Sequence, residues 1–170
     1  KKSALGLPAL VPMAPDLALA LPVAEAPWYV SYLEALTQAG VTVGAHDAIL
    51  TRADVVTALF ELSGGVPVNY ILPFTDVAQD AVYAEAVRWA ASEKIVEGHS
   101  ATVFSPTDAI TREQFAAILY RYAQYKGYDV SAGEDISLLS YRDGAEVSDW
   151  AVPAIQWACG SGLMEGDAGT

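Results

Sequence analysis

Along the chain, apolar residues return at three- and four-residue intervals in several stretches while strict alternation is scarce, so the pattern predicts helices rather than strands. The plainest stretch opens at Ile110-Thr111-Arg112-Glu113-Gln114, after which Phe115, Ile118, Leu119 and Tyr122 hold one face until Gly127. Thr111 stands three residues before Gln114 with an apolar residue ahead of it, which is the arrangement of a capping box. The same signal opens at Leu50-Thr51-Arg52-Ala53-Asp54, with Val55, Val56, Leu59 and Leu62 behind it and Gly64-Gly65 as the stop. Two helices should therefore start in the same four-residue manner. Ahead of Thr111, a helix over about 81 to 93 is expected, capped by Asp80, with Tyr83, Ala86, Val87 and Ala90 facing inward.

An internal repeat organises these elements. Sliding the chain by 54 residues lays Trp28-Tyr29 to Gly44 over Val82-Tyr83 to Gly98, and a further 68 lays that stretch over Trp150-Ala151 to Gly166. Leu33, Val87 and Ile155 coincide, as do Leu36, Ala90 and Ala158, then Val41, Ile95 and Leu163, and then the three glycines. These are inward positions followed by a glycine suited to a left-handed exit, so one helix-loop-helix unit is expected three times. The units divide as residues 27–69, 70–130 and 131–170. The first is shortened and has no Phe-x-Pro element. In the third, Ser148 or Asp149 should cap a first helix that tolerates Pro153 in its first turn. The counterpart of Thr111 would fall near position 179, so the third unit is read as a first half. Any sheet is expected only as short pairings near Phe74 or Tyr141.

Residues 1–26 are a separate block, rich in Ala and Leu and broken by Pro8, Pro12, Pro15 and Pro22, which forbid a continuous helix. They read as a linker or a packing segment. A Lys-Lys start is signal-like, but the prolines and Asp16 interrupt the apolar run. Elsewhere no stretch approaches the roughly 18 apolar residues of a membrane-spanning helix, so no membrane insertion is expected.

Composition narrows the chemistry. Of 170 residues 53% are hydrophobic, enough to bury a core. With 21 acidic against 9 basic side chains the formal charge is -12, a surface that repels phosphate backbones and makes nucleic acid an unsuitable partner. One cysteine, Cys159, and two histidines, His46 and His99, supply neither a disulfide within the chain nor zinc-ligand spacing, and no metal or cofactor is expected.

Phe74-Thr75-Asp76-Val77, Tyr83, Ala86-Val87, Trp89-Ala90, Ile95-Val96-Glu97-Gly98, Phe104-Ser105-Pro106 and Ile110-Thr111-Arg112-Glu113 together resemble a full S-layer homology motif in order and spacing. Tyr141-Arg142-Asp143, Trp150-Ala151, Ala154-Ile155, Trp157-Ala158 and Gly162-Leu163-Met164-Glu165-Gly166 resemble its first half. Trp28-Tyr29 and Leu50-Thr51-Arg52-Ala53-Asp54 resemble parts of it. The resemblance implies an all-α fold, a pseudo-threefold bundle with the Thr-Arg helices at its centre. It also implies grooves that hold an anionic cell-wall polysaccharide, commonly through a pyruvate ketal on N-acetylmannosamine, so that an exported protein is tethered to a bacterial cell wall or S-layer. The arginines that match the family's carboxylate-holding position are Arg52 and Arg112. Asp54 stands where the motif has Glu, and Glu113-Gln114 where it has Ala-Glu.

The residues' own chemistry agrees with binding. An Arg in the first turn of a capped helix stands beside free backbone N–H groups and the positive end of the helix dipole, a small anion site on an acidic surface. Trp28, Trp89 and Trp150 offer flat apolar faces to a sugar ring, and Asp76 and Asp143 stand at matching places where each orients an Arg, accepts a sugar hydroxyl or simply caps a turn. Gly98 and Gly166 complete the candidate set of ligand contacts, and His99 reads as a solvated loop residue. No pair of carboxylates is singled out for glycoside hydrolysis, so a noncatalytic module is expected. The alternative is a helical protein–protein interaction scaffold in an extracellular assembly. With two Thr-Arg helices in a threefold plan, apolar faces at Leu59 and Ile118 should need a cover, supplied in first preference by residues 1–26, otherwise by self-association or a partner segment, or by sequence beyond Thr170.

Overall fold

The computed structural model describes residues 27–45 and 47–166. The readings made for residues 1–26 lie outside them. Five helices follow one another: α1 (Val30–Gln38), α2 (Arg52–Leu62), α3 (Ala84–Ser92), α4 (Arg112–Tyr125) and α5 (Val152–Gly160), with short 3-10 turns at Leu138–Ser140 and Gly144–Glu146. The fold is all-α, as expected. Among the described residues the one β-type pairing is an isolated antiparallel bridge between Thr51 and Ala109, so it joins the starts of α2 and α4 rather than lying near Phe74 or Tyr141.

Both capping boxes form. Asp54 N donates to Thr51 Oγ1 at 3.2 Å and Thr51 N returns a bond to Asp54 Oδ2 at 2.8 Å. Gln114 N donates to Thr111 Oγ1 at 3.2 Å, with a longer return bond of 3.5 Å from Thr111 N to Gln114 Oε1. The side-chain caps expected for α3 and α5 do not form. Tyr83 and Ala151 stand at those positions without a side-chain bond, because a tight turn leads into each helix and displaces its start downstream of Asp80 and Asp149. The turns are closed by Ala84 N to Ala81 O at 2.8 Å and Ala151 N to Ser148 O at 2.8 Å. Pro153 falls within the first turn of α5, where its missing N–H would have had no helical partner.

The ends of α1, α3 and α5 show the repeat most directly. Val41 N donates to Leu36 O, Ile95 N to Ala90 O and Leu163 N to Ala158 O, the long bond of a Schellman ending in all three cases. The left-handed residue within each ending is Gly40, Lys94 or Gly162, at φ of 81°, 59° and 72°. This corrects the expectation for Gly44, Gly98 and Gly166, which stand four residues further on in ordinary backbone. Lys94 accepts a conformation that costs an L residue about 1 kcal/mol.

Packing pairs straddle the sequence repeats. α2 packs on α3, and α4 packs on α5. Val56, Leu59, Val87, Trp89, Ile95, Phe104 and Ile118 share one apolar cluster, while Ala116, Ala117 and Ala123 of α4 meet Ala154, Trp157 and Ala158 in another. The faces at Leu59 and Ile118, expected to need a cover, are therefore already buried, at 7% and 3% exposure. The uncovered helix is instead α1, which has no buried residue. Its following loop is tied to α2 by Thr42 N and Thr42 Oγ1, which donate to the Glu61 carboxylate at 2.7 and 3.1 Å.

Candidate functional site

Arg52 is the buried charged residue of the described core, 5% exposed. It leaves the first turn of α2 and reaches the loop after α3, where Nε donates to Phe104 O at 2.9 Å and Nη2 to Glu97 O at 2.8 Å. Its guanidinium carbon stands 4.7 Å from the centre of the Phe104 ring. Burial lowers its pKa and Asp108 opposes that shift, but a guanidinium starts so high that it stays charged. The backbone N–H groups beside it were expected to be free, and they are not. Arg52 N donates to Asp108 O at 3.1 Å and Ala53 N to Pro106 O at 2.9 Å. What remains for a ligand is Nη1, which has no protein partner among the described residues.

That loop is held in place from its other side. Asp76 accepts from Phe104 N at 2.9 Å and from Ser105 N at 2.6 Å, so its carboxylate fastens the backbone. Desolvation pushes the Asp76 pKa up, but these backbone donors, helped by His99, outweigh it and hold the group below the usual carboxylate range. Gly98 lies in the tightest part of the loop. A Cβ there would stand 2.4 Å from Ser100 O, 2.5 Å from Val103 O and 2.6 Å from the Phe74 ring.

A groove of about 240 Å³ is lined by Arg52 of α2, by Glu97, Gly98 and His99 of this loop, by Gln114, Ala117, Ile118 and Arg121 of α4, and by Trp150. Arg121 Nη2 stands 3.3 Å from Glu97 Oε2. Trp150 is 55% exposed. Two guanidinium groups, an imidazole and an indole thus meet on a chain whose net charge is -12. Fixed donors of this kind suit a carboxylate, and an indole face suits the C–H surface of a sugar.

A second pocket of about 280 Å³ lies between α4 and α5 and is lined by Arg112, Asp143 and Gly166 among others. Arg112 is exposed and donates from Nη2 to Glu165 O at 2.9 Å. The structure thus brings Arg52, Gly98 and Trp150 together in one place and Arg112, Asp143 and Gly166 in another. Asp76 works behind the loop. Trp89, expected to face a sugar, is 4% exposed and packs against Phe60, Tyr122 and Tyr125. The repeat register explains this: Trp89 and Trp157 share an inner-face position and are both buried, whereas Trp28 and Trp150 share the helix-entry position and are both exposed. Trp28 stands with Tyr29 and Tyr32 outside both pockets.

The sequence reading missed Arg121 and Gln114. They fall on one stripe of α4 with Ala117 and Ile118, polar at its ends and small or apolar at its middle. That spacing was available as a signal. Among the described residues no group of three or more His, Cys, Asp or Glu side chains is placed to hold a metal ion, and no helix is long and apolar enough to cross a membrane.

An all-helical repeat whose Arg docks into the next repeat's loop defines a repeat-built binding module, and comparison gives its family. The sequence model described as the S-layer homology domain matches residues 73–116 and 140–170. The chain belongs to the S-layer homology family and is a cell-surface module of the bacterial envelope. It is 31% identical over 114 residues to the surface-layer 125 kDa protein of Lysinibacillus sphaericus, covering 67% of this chain and 9% of that protein. It is 28% identical over 147 residues to exoglucanase XynX of Acetivibrio thermocellus, covering 82% of this chain and 13% of the relative. An endoglucanase of Bacillus sp. (strain KSM-635) is 31% identical over 134 residues, with 79% and 14% covered. The chain therefore spans a small fraction of each of these relatives. No solved structure matches it.

Proposed function

We propose that the chain is a noncatalytic module that anchors an exported protein to the bacterial cell wall, and that the groove over Arg52 holds an acidic sugar of a wall polysaccharide. The observation that carries this reading is the meeting of Arg52, Arg121 and the exposed residue Trp150 around one groove of a strongly acidic chain. Arg52 is fixed by two carbonyls before any ligand arrives, so little side-chain entropy is lost when Nη1 takes a carboxylate. A pyruvate ketal, which projects a carboxylate from the sugar ring, suits Arg52 and Arg121 while the ring lies on Trp150. Asp76 and Gly98 act as positioning residues for the loop. Arg112, with Gly166 beside it, makes the corresponding carbonyl bond in the second pocket and is the candidate for a second, separate contact.

Hydrolysis of the glycan is not favoured by this groove. Glu97 is the carboxylate of its lining, and it faces Arg121, so a second acid across the groove is missing from the lining residues. Sedimentation with purified cell walls tests the assignment. The chain should pellet with intact walls and stay in solution when the attached polysaccharide has been stripped; equal binding to both would refute it.

A further inference from the structure

Two guanidinium groups line the groove over Arg52, and what holds each of them differs. Arg52 Nε and Nη2 are fixed on the carbonyls of Phe104 and Glu97, bonds that belong to the fold. Arg121 has one hydrogen-bond partner among the described residues, the carboxylate of Glu97, 3.3 Å from its Nη2. That pair is open to water, with the side chain of Arg121 30% and that of Glu97 76% exposed, and an ion pair so placed contributes little to a fold.

The repeat register shows what is particular about this pair. Glu61 and Arg121 each stand ten residues after a capping threonine, Thr51 and Thr111, and each reaches back to the loop that follows the first helix of its own repeat. Glu61 takes the backbone N–H and the hydroxyl of Thr42, at 2.7 and 3.1 Å, so that link is anchored in the main chain. In the second repeat both ends of the link are side-chain tips, which exchange partners without moving the backbone. Burial is the larger cause of the lowered pKa of Arg52, and repulsion from Arg121 adds to it, so the two guanidinium groups feel one another within the groove. An anion set beside both is favoured by both, and the carboxylate already in the lining is that of Glu97.

We infer that Glu97 holds the place on Arg121 that the carboxylate of an acidic sugar takes, and that it sets the groove's affinity for such sugars by competing with them. The inference rests on the groove being the wall-binding site. Binding then exchanges one carboxylate for another: Arg121 leaves Glu97, whose exposed side chain returns to water, and pairs with the ligand's carboxylate beside Arg52 Nη1. A neutral sugar offers hydroxyls alone, which bind a guanidinium more weakly than a carboxylate does, so it leaves the pair standing. The opposite role, a Glu97 that accepts hydroxyl protons from the sugar, carries the opposite sign: its removal would weaken binding.

Glu97→Gln separates the two roles, because it keeps the size of the side chain and removes its charge. Quantitative sedimentation of the full chain with polysaccharide-bearing walls should show affinity raised about three- to fivefold, the scale of an exposed ion-pair competitor. On walls whose polysaccharide carboxyls have been reduced to alcohols, the variant should bind as the unaltered chain does. Glu93→Gln removes one exposed charge outside the groove lining and should leave affinity unchanged. In an Arg121→Ala background the gain from Glu97→Gln should vanish. Weaker or unchanged binding by Glu97→Gln would overturn the inference. So would an equal gain from Glu93→Gln, or a gain that survives Arg121→Ala, since either marks a general effect of charge. Arg121→Ala that leaves wall binding untouched would overturn the site reading as well, whereas binding weakened by Arg121→Ala with no gain from Glu97→Gln overturns the inference alone. Thermal melting checks that Glu97→Gln is folded, and Glu97→Ala repeats the test should it not be.

Discussion

Arg52 Nη2 donates to the carbonyl oxygen of Glu97, 45 residues along the chain, at 2.8 Å. The bond joins the Thr-Arg helix of one repeat to the loop of the next, and Arg112 repeats it with Glu165 at 2.9 Å. The two arginines are equivalent in sequence but not in surroundings. Arg52 is buried against Phe104 and holds a second carbonyl, whereas Arg112 is exposed and holds one.

This difference predicts unequal mutants. Arg52→Ala removes charge-assisted bonds to two carbonyls, the one to Phe104 O buried and the one to Glu97 O partly so, and should lower stability by about 3 kcal/mol, while Arg112→Ala should cost under about 1 kcal/mol. Urea unfolding of the two variants checks this. Equal losses would contradict the burial difference.

Asp76 should leave a signature in acid. Its folded pKa lies below the unfolded value of about 3.9, so its contribution is fully present above about pH 4 and is lost as pH falls through the folded pKa. Asp76→Asn should flatten that part of the stability–pH curve below about pH 4. An unchanged acid slope in the variant would assign the loss to other carboxylates.

Gly98→Ala should destabilise by about 1 to 3 kcal/mol, because the new methyl meets two backbone carbonyls and the Phe74 ring rather than a movable side-chain end. Gly44→Ala should be mild, since nothing stands within 4 Å of its Cβ position. Thermal unfolding of the pair measures the contrast.

Loss of either threonine cap should cost about 1 kcal/mol, and the two losses should add, as the caps stand on different helices. A Thr51→Ala, Thr111→Ala double variant followed by urea unfolding tests the sum.

Much of the fold was legible because its signals are local. Capping boxes at Thr51 and Thr111 fix helix starts through residues three apart, and the repeat register identified Leu36, Ala90 and Ala158, whose carbonyls take the long Schellman bonds. The starts of α3 and α5 were misplaced because a turn bond, such as Ala84 N to Ala81 O, competes with a side-chain cap and leaves no distinctive residue behind. The left-handed residue was misplaced because Lys94 stands where Gly40 and Gly162 stand, hiding the glycine signal in the repeat that otherwise reads best.

Site geometry was legible in composition more than in arrangement. Arg52, Gly98 and Trp150 do meet, but Trp89 was assigned to the surface because aromatic content alone does not distinguish an inner helical position from an entry position. The packing partners also differ from the sequence units. Val56 and Leu59 bury themselves against the following repeat, so helix-loop-helix units read along the chain could not show which faces are covered.

The central claim is that the groove over Arg52 is the wall-binding site, and an Arg121→Ala, Trp150→Ala double variant tests it without touching the buried Arg52. Both side chains line the groove and neither is buried in the described core, so the melting temperature should be nearly unchanged. Affinity for polysaccharide-bearing walls, measured by quantitative sedimentation, should fall more than about tenfold, given about 1.5 to 3 kcal/mol for a charge-assisted contact and a further contribution from the indole face. A folded double variant that binds those walls as tightly as the unaltered chain would contradict the account.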